Sequence, residues 1–369
     1  MNQPTVMIIP AYEPPLSFLP FLRELREATE AQLVIVDDGS GDAYRERFAE
    51  AERIPACTVL THEKNRGKGC ALRTAFAYAE GAFAPDTVYV CADCDGQHAV
   101  RDMLRVAEEV KHNPDALVLG CRDFSKAQVP LRSSFGNRTT SLLFRLLFGQ
   151  HIRDTQTGLR GFSHGHLPLL LSLSGDGFEY EMHTLATFAL RHIPLRCISI
   201  ETKYNTSAQG CERVSHFSAF RDSARILRVL FSYVARYTAV GILSTLVDIV
   251  LFYVLLRFVF SGNEEELPLL IATAMARLGA SLVNFLLNFK YVFRVGGRGV
   301  LWRYYTVWLG RLAASYAVVL LLSVPQPSPS QLTLGKTVFD LLLGLLTLRL
   351  LRTWVFAPRG AARSTQSVI

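Results

Sequence analysis

The chain has 369 residues, half of them hydrophobic, with 39 Lys and Arg against 32 Asp and Glu and a formal net charge of +7. Charged residues make up only 19 % and the mean hydropathy is +0.21, whereas soluble domains carry about a quarter charged residues. A wholly water-soluble protein is therefore excluded, as are disordered, collagen-like and disulfide-scaffold chains. At ~100–200 residues per domain the length predicts two domains. The basic excess suits nucleic acid, an anionic membrane face or a phosphorylated substrate, and its position decides among them.

Residues 1–228 read as a globular domain. Strand-like runs at Val6–Ile9, Leu33–Val36, Val88–Cys91 and Ala116–Leu119 alternate with helix-like stretches at Phe18–Ala31, Lys68–Glu80 and Val100–His112. That alternation predicts a parallel sheet with helices on both faces. The apolar run at Val6–Ile9 is too short for a signal peptide. The first strand runs into Pro10-Ala11-Tyr12-Glu13 and the second into Asp37-Asp38-Gly39-Ser40. Ligands of open α/β sheets bind beyond the carboxyl ends of the strands, so these two loops are expected to flank one pocket. The plainer account of the second is an Asp-Gly turn with a capping carboxylate. Asn65-Arg66-Gly67-Lys68-Gly69 opens a helix with glycines and a cation, which reads as a phosphate cradle without Walker spacing.

The run Val88–Ala92 ends in Asp93-Cys94-Asp95-Gly96-Gln97-His98. Two carboxylates one residue apart on a glycine-hinged loop offer hard oxygen ligands to Mg²⁺, which would neutralise charge on a diphosphate leaving group. A solvated acidic turn is the simpler alternative, and the two upstream loops tip the balance toward a nucleotide–metal site. Seven cysteines, at 57, 70, 91, 94, 121, 197 and 211, all fall before the apolar stretches and are expected to stay reduced. Cys91-x-x-Cys94 lacks a second pair, so packing explains it better than zinc.

The last third carries four apolar stretches, Tyr237–Leu256, Leu267–Phe289, Tyr304–Val324 and Val338–Val355, each near the ~20 residues that span a bilayer. Arg221, Arg225, Arg228 and Arg236 precede the first. Lys290, Arg294, Arg298 and Arg303 lie between the second and third, and Arg349, Arg352, Arg359 and Arg363 lie at or beyond the end of the fourth. The segments Ser261–Glu266 and Pro325–Gly335 in the other two loops hold no Lys or Arg. The bias predicts a multi-pass protein of the cytoplasmic membrane with both termini and the N-terminal domain cytosolic, and a short tail at 358–369. The basic excess is thus mostly juxtamembrane, and no nucleic-acid partner is expected. Ser141–Gly149 fits an interfacial helix and core packing equally. Within the spans Asp248 and Arg277 fall at matching depth and are expected to pair, while Arg311 and Asp340 do not match.

Taken together these runs resemble a family 2 glycosyltransferase of GT-A fold, of the dolichyl-phosphate mannose synthase-like branch. The resemblance rests on Ile8–Glu13, Val36–Ser40, Asn65–Gly69 and Asp93–His98, followed in order by Gly120-Cys121-Arg122, Asp154–Phe162 and Phe178-Glu179-Tyr180-Glu181. Residues 229–357 resemble a GtrA-like membrane domain of four helices, through Val240-Gly241-Ile242 and Asn284–Phe289. The resemblance implies inverting, metal-dependent transfer of a hexose from a nucleotide sugar, GDP-mannose or UDP-glucose, to a polyprenyl phosphate at the bilayer, with Mg²⁺ or Mn²⁺ as cofactor. By position it implies that Pro10, Tyr12, Glu13, Asp37, Asp38, Lys68 and Asp93 line the nucleotide pocket. Asp93, Asp95 and Gln97 surround the metal, and Asp95, Arg122 and Arg132 act at the reaction centre. Arg122 and Arg132, with Ser215 and His216, meet the acceptor phosphate. Many mannose enzymes have Gly-x-Ser-Lys where this chain has Val214-Ser215-His216-Phe217.

A phosphate acceptor is already ionised near pH 7 and needs positioning and charge screening rather than a strong base. Two alternatives stay open. The membrane domain would translocate a lipid-linked sugar, or the enzyme would glycosylate a hydroxyl with Glu179, Glu181 or Asp154 as base. A homo-oligomer is compatible with either.

Overall fold

In a computed structural model, the structure describes residues 3–122, 131–201, 221–259, 266–293, 299–323, 339, 342–344 and 346–356. Seven strands form one sheet: β1 (Thr5–Ala11), β2 (Gln32–Asp37), β3 (Cys57–Thr61), β4 (Val88–Cys91), β5 (Leu117–Arg122), β6 (Arg160–Ser163) and β7 (Leu195–Ile200). Their order is β3-β2-β1-β4-β6-β5-β7, parallel throughout except for β6, which runs antiparallel to both β4 and β5. The four apolar runs expected as strands are β1, β2, β4 and β5. The antiparallel strand was not expected, because Arg-Gly-Phe-Ser carries no apolar run.

The helices of this part are α1 (Phe18–Ala28), α2 (Arg45–Glu52), α3 (Lys68–Ala82), α4 (Val100–His112), α5 (Leu131–Phe148), α6 (Leu167–Leu171) and α7 (Glu179–Leu190). α1 buries Phe18, Phe21, Leu22 and Leu25, and α4 buries Val100, Met103, Val106, Ala107 and Val110. Both stripes follow the helical period and pack with Met7, Ile9, Leu33, Ile35 and Val90 in one core. Near α3, Phe76 meets Phe162 edge-on at 5.3 Å, and Phe162 stacks on Tyr89 at 5.5 Å. β1 and β2 are apolar and buried almost end to end, as strands covered on both faces must be.

Register positions the site. Ala11 pairs with Asp37 and Ile8 with Cys91, so the carboxyl ends of β1, β2 and β4 lie side by side. The chain leaves β1 toward β2 and β3 and returns on the other side at β4. The crevice between β1 and β4 is thus a topological switch point, where open α/β sheets bind ligands.

The chain divides into two compact units, residues 1–145 with 150–230, and residues 146–149 with 231–369. The second contains most of α8 (Arg221–Val254), with α9 (Glu266–Leu287) and α10 (Val300–Ser323), and wider helical turns at Leu255–Val259, Asn288–Phe293 and Leu351–Val355. Two helical stretches among the described residues, Arg221–Val259 and Ile271–Val292, are long and apolar enough to cross a membrane. Ile242, Leu246, Ile249, Val250 and Tyr253 are exposed along the first, a surface suited to lipid rather than water. Polar groups tie the helices together. Asn284 Nδ2 donates to Ser244 Oγ at 3.0 Å, and Tyr304 Oη donates to Asn284 Oδ1 at 2.9 Å. Arg277 Nε lies 3.4 Å from Asp248 Oδ2, so the expected intramembrane pair is present. Asp340 lies outside the described residues.

Two expectations change. The Ser141–Gly149 segment is the second half of α5, with Leu142 and Leu146 exposed but Phe144 and Phe148 buried, so it is neither wholly interfacial nor wholly core. Arg352, expected among loop charges, is buried, donates to the carbonyl of Leu147 and stacks 4.3 Å over the Phe148 ring.

Candidate active site

The loop after β2 is built around Asp38, which is buried. Its Oδ1 accepts from the backbone N–H of Arg66 at 2.9 Å and lies 2.7 Å from His62 Nδ1, while Oδ2 accepts from the N–H of Gly67 at 2.7 Å. Asp37 Oδ1 accepts from the N–H of Ser40 at 2.9 Å, and Ser40 Oγ accepts from the N–H of Glu13 at 2.9 Å. Gly39, at φ +74°, lies so close to the backbone of Lys64 and Asn65 that no Cβ fits there. The loops after β1 and β2 and the turn before α3 therefore form one hydrogen-bonded unit. Within it Glu13 adopts φ +45°, a strained conformation for a residue other than glycine. Tyr12 bonds Glu13 and Asn65, and the Glu13 bond, burial and nearby negative charge hold its hydroxyl above its ordinary pKa.

This geometry revises the phosphate cradle expected at Asn65–Gly69. The N–H groups of Arg66 and Gly67 are taken by the Asp38 carboxylate, and that of Cys70 by the carbonyl of Asp176. Lys68 serves carboxylates. Its Nζ lies 2.6 Å from Asp93 Oδ1 and 3.0 Å from Glu181 Oε1, with the Phe178 ring at 5.6 Å. Burial alone would lower the Lys68 pKa, but the two carboxylates raise it. Burial would likewise raise Asp93, yet Lys68 and His98, whose Nε2 is 3.6 Å away, hold it far below the usual carboxylate range. Glu181 as a partner of Lys68 was not legible beforehand, since the two residues meet only through the fold.

Asp95 behaves oppositely. Burial and the charge of Asp93 push its carboxyl above the ordinary value, and its Oδ1 accepts only from the backbone N–H of Gln97 among the bonds described. The Gln97 side chain is exposed, so its backbone rather than its amide supports Asp95. Two hard-oxygen carboxylates repelling each other are a donor set that fits a divalent cation. No group of three His, Cys, Asp or Glu side chains comes together among the described residues. A divalent cation bound here would take part of its coordination shell from these two carboxylates.

Arg122 ends β5, and its guanidinium grips Asp154 in a two-pronged pair, Nε to Oδ2 at 2.6 Å and Nη2 to Oδ1 at 3.1 Å. Asp154 is fully buried and also accepts from the N–H of Gln156. The same loop reaches the other half of the site. A Cβ on Gly158 would collide with the Asp93 carboxylate, so only glycine lets the 154–158 segment run between Arg122 and Asp93. Asn137 and Ser141 of α5 bond the carbonyls of Arg153 and Ile152, tying α5 to that segment. Arg132 lies in the first turn of α5, but its side chain, like Ser215 and His216, is outside the described residues.

The described residues thus bring Tyr12, Glu13, Asp37, Asp38, Lys68, Asp93, Asp95 and Arg122 to the carboxyl edge of one sheet. Pro10 is buried in β1, opposite Val36.

Comparisons with known proteins align with this division. A family model described as glycosyl transferase family 2 matches residues 6–167, and one described as the GtrA/DPMS transmembrane domain matches residues 236–360. A UDP-N-acetylglucosamine–dolichyl-phosphate N-acetylglucosaminyltransferase of Methanococcus voltae is 30 % identical over 182 residues, covering 44 % of this chain and 71 % of that one. Glycosyltransferase AglJ of Haloferax volcanii is 25 % identical over 288 residues, covering 76 % of this chain and 90 % of that one. Among solved structures, glucosyl-3-phosphoglycerate synthase of Mycobacterium tuberculosis with UDP is 17 % identical, covering 63 % of this chain and 80 % of that one, with a TM-score of 0.45.

Proposed function

This chain belongs to glycosyltransferase family 2 and carries a GtrA/DPMS transmembrane domain, and on that premise we propose that it transfers a sugar from a nucleotide donor to a polyprenyl phosphate with inversion. The acceptor phosphate oxygen attacks the anomeric carbon as the bond to the nucleoside diphosphate breaks. In this reading the catalytic domain and both chain ends face the cytosol, and the membrane domain spans the bilayer four times.

Tyr12, Glu13 and Asp37 line the nucleotide side, braced by Asp38. Lys68 fixes the Asp93 rotamer, so that Asp93 and Asp95 present their oxygens to one place. Mg²⁺ or Mn²⁺ held by Asp93 and Asp95 would supply charge neutralisation for the departing diphosphate. Arg122, held rigid by Asp154, places its positive charge beside the acceptor phosphate, and Arg132 joins it from the start of α5. Preorganised donors of this kind act where charge develops and cost no reorganisation during reaction.

The observation that carries this reading is the state of the carboxylates that a hydroxyl acceptor would need as a base. Asp154 is held by Arg122 and Glu181 by Lys68, while Glu179 keeps one buried oxygen, Oε2, outside any hydrogen bond among the described residues. A phosphate acceptor needs none of them as a base. The M. voltae relative is named for a UDP-N-acetylglucosamine donor and a dolichyl phosphate acceptor, so the donor panel widens beyond GDP-mannose and UDP-glucose. Purified protein is incubated with undecaprenyl phosphate, Mg²⁺ or Mn²⁺, and each of the three labelled donors, followed by lipid extraction. Label from one donor should enter the organic phase and be lost with chelator; no transfer from any of them would refute the reading.

A further inference from the structure

A second charged cavity lies in the first unit, between the loop at 175–179 and the opening turns of α8. It is an open cleft of about 300 Å³ lined by Asp176, Glu179, Arg225, Arg228 and Val229. Arg225 and Arg228 sit three residues apart on one helical face. Among the described residues Arg225 has one loose partner, Asp222 at 3.8 Å, and the Asp176 carboxylate is already held by Arg73 at 2.6 Å. Arg228 has no ion pair among the described residues, so the two guanidinium groups are only partly matched by the cavity's two carboxylates. Its other feature is a missing donor. Glu179 Oε1 accepts from the N–H groups of Asp176 and Gly177 at 3.1 Å each, but Oε2 is buried with no hydrogen-bond partner among the described residues. A buried carboxylate oxygen without a donor is costly. Glu179 Oε2 and Arg225 Nη1 converge on Gly177, 2.7 and 3.1 Å from where its Cβ would stand.

We propose that this cavity binds the headgroup of an anionic glycerophospholipid carrying free hydroxyls, of the phosphatidylglycerol type, at a site separate from the Asp93–Arg122 centre. A phosphodiester gives the two guanidinium forks an anion. Headgroup hydroxyls give Glu179 Oε2 the donor it lacks. A polyprenyl phosphate answers only the first need. The source is a membrane lipid because Arg228 lies on the same helix as the apolar stretch, about two and a half turns before Tyr237, and is soon followed by the exposed Phe231. Occupancy braces a loop that also supports α3, since the carbonyls of Gly175 and Asp176 accept from Arg73 and from the N–H of Cys70.

The test uses the full chain in a neutral detergent and follows its thermal midpoint with dioctanoyl phosphatidylglycerol, dioctanoyl phosphatidylcholine and free glycerol phosphate. Phosphatidylglycerol should raise the midpoint saturably, and the other two should not. In an Arg225→Ala/Arg228→Ala variant the apparent Kd for phosphatidylglycerol should rise about tenfold or more, while the shift given by undecaprenyl phosphate persists. If that variant fails to fold, Arg225→Lys/Arg228→Lys keeps the charge, loses the forks and should weaken binding in the same direction. Equal shifts from phosphatidylglycerol and phosphatidylcholine, an equal shift from glycerol phosphate, or undiminished phosphatidylglycerol binding in the variants would overturn the proposal. Loss of the undecaprenyl phosphate shift along with it would overturn the separateness of the site.

Discussion

Lys68 Nζ stands 2.6 Å from Asp93 Oδ1 and 3.0 Å from Glu181 Oε1, so a single ammonium joins the loop after β4 to the first turn of α7. Lys68→Met removes the cation and leaves two carboxylates facing each other in a largely desolvated place. We expect a loss of about 3 kcal/mol in unfolding free energy, reduced from the fully buried case because Asp93 keeps some exposure, with turnover falling as well. Denaturant titration checks the first and label transfer the second.

The same pair sets a pH window. Asp93 is depressed below the ordinary 3.8, so its contribution is present above that pH and is lost as pH falls below it. Lys68 is raised above 10.5, so its contribution is present below that pH and is lost as pH rises through the folded value. The stability gap between wild type and Lys68→Met should be flat from roughly pH 5 to 9 and shrink in acid below about pH 4. A gap that grows in acid would contradict the pairing.

Asp95 is strained in the opposite sense, because burial and its neighbour Asp93 disfavour its charged form. Asp95→Asn should therefore raise the thermal midpoint of the ligand-free protein while lowering turnover at least about a hundredfold. Wild type should gain further stability from Mn²⁺ together with donor, and the variant should not. Calorimetry with and without those ligands separates the two effects.

Asp154 offers a direct contrast between a base and a brace. Breaking its two-pronged pair with Arg122 by Asp154→Asn leaves a charge without its partner, for an expected loss of about 3 kcal/mol alongside lost activity. Loss of a proton acceptor alone would slow the reaction and leave unfolding unchanged.

In the second unit, Asp248→Asn should lower stability by about 1–2 kcal/mol by stranding Arg277. The exchange Asp248→Arg/Arg277→Asp should recover much of it. Unfolding in detergent micelles reports both.

Much of this was legible in the sequence, and for identifiable reasons. β1, β2, β4 and β5 announce themselves as apolar runs buried on both faces, and α4 by an unbroken helical stripe from Val100 to His112. The acidic loop at Asp93 and the Asp37–Asp38 turn follow such strands directly, so their meeting at one sheet edge was readable from topology rules. β6 was not, because its four residues carry no pattern and gain their place only by pairing with β4 and β5. The partners Lys68–Glu181, Asp38–His62 and Arg122–Asp154 were equally hidden. Each joins residues 24 or more positions apart, and no local periodicity encodes such a meeting. Arg352 misled for a related reason: a loop-end arginine reads as interfacial, yet here an aromatic ring and a carbonyl take it in.

The nature of the acceptor is the point on which the reaction turns. Label transfer from the active donor should be compared between undecaprenyl phosphate and undecaprenol, the same lipid ending in a hydroxyl. We expect organic-phase label with the phosphate and none above background with the alcohol. Comparable transfer to undecaprenol would mean that a base operates in this site after all, and that Arg122 and the acidic pair serve a different chemistry.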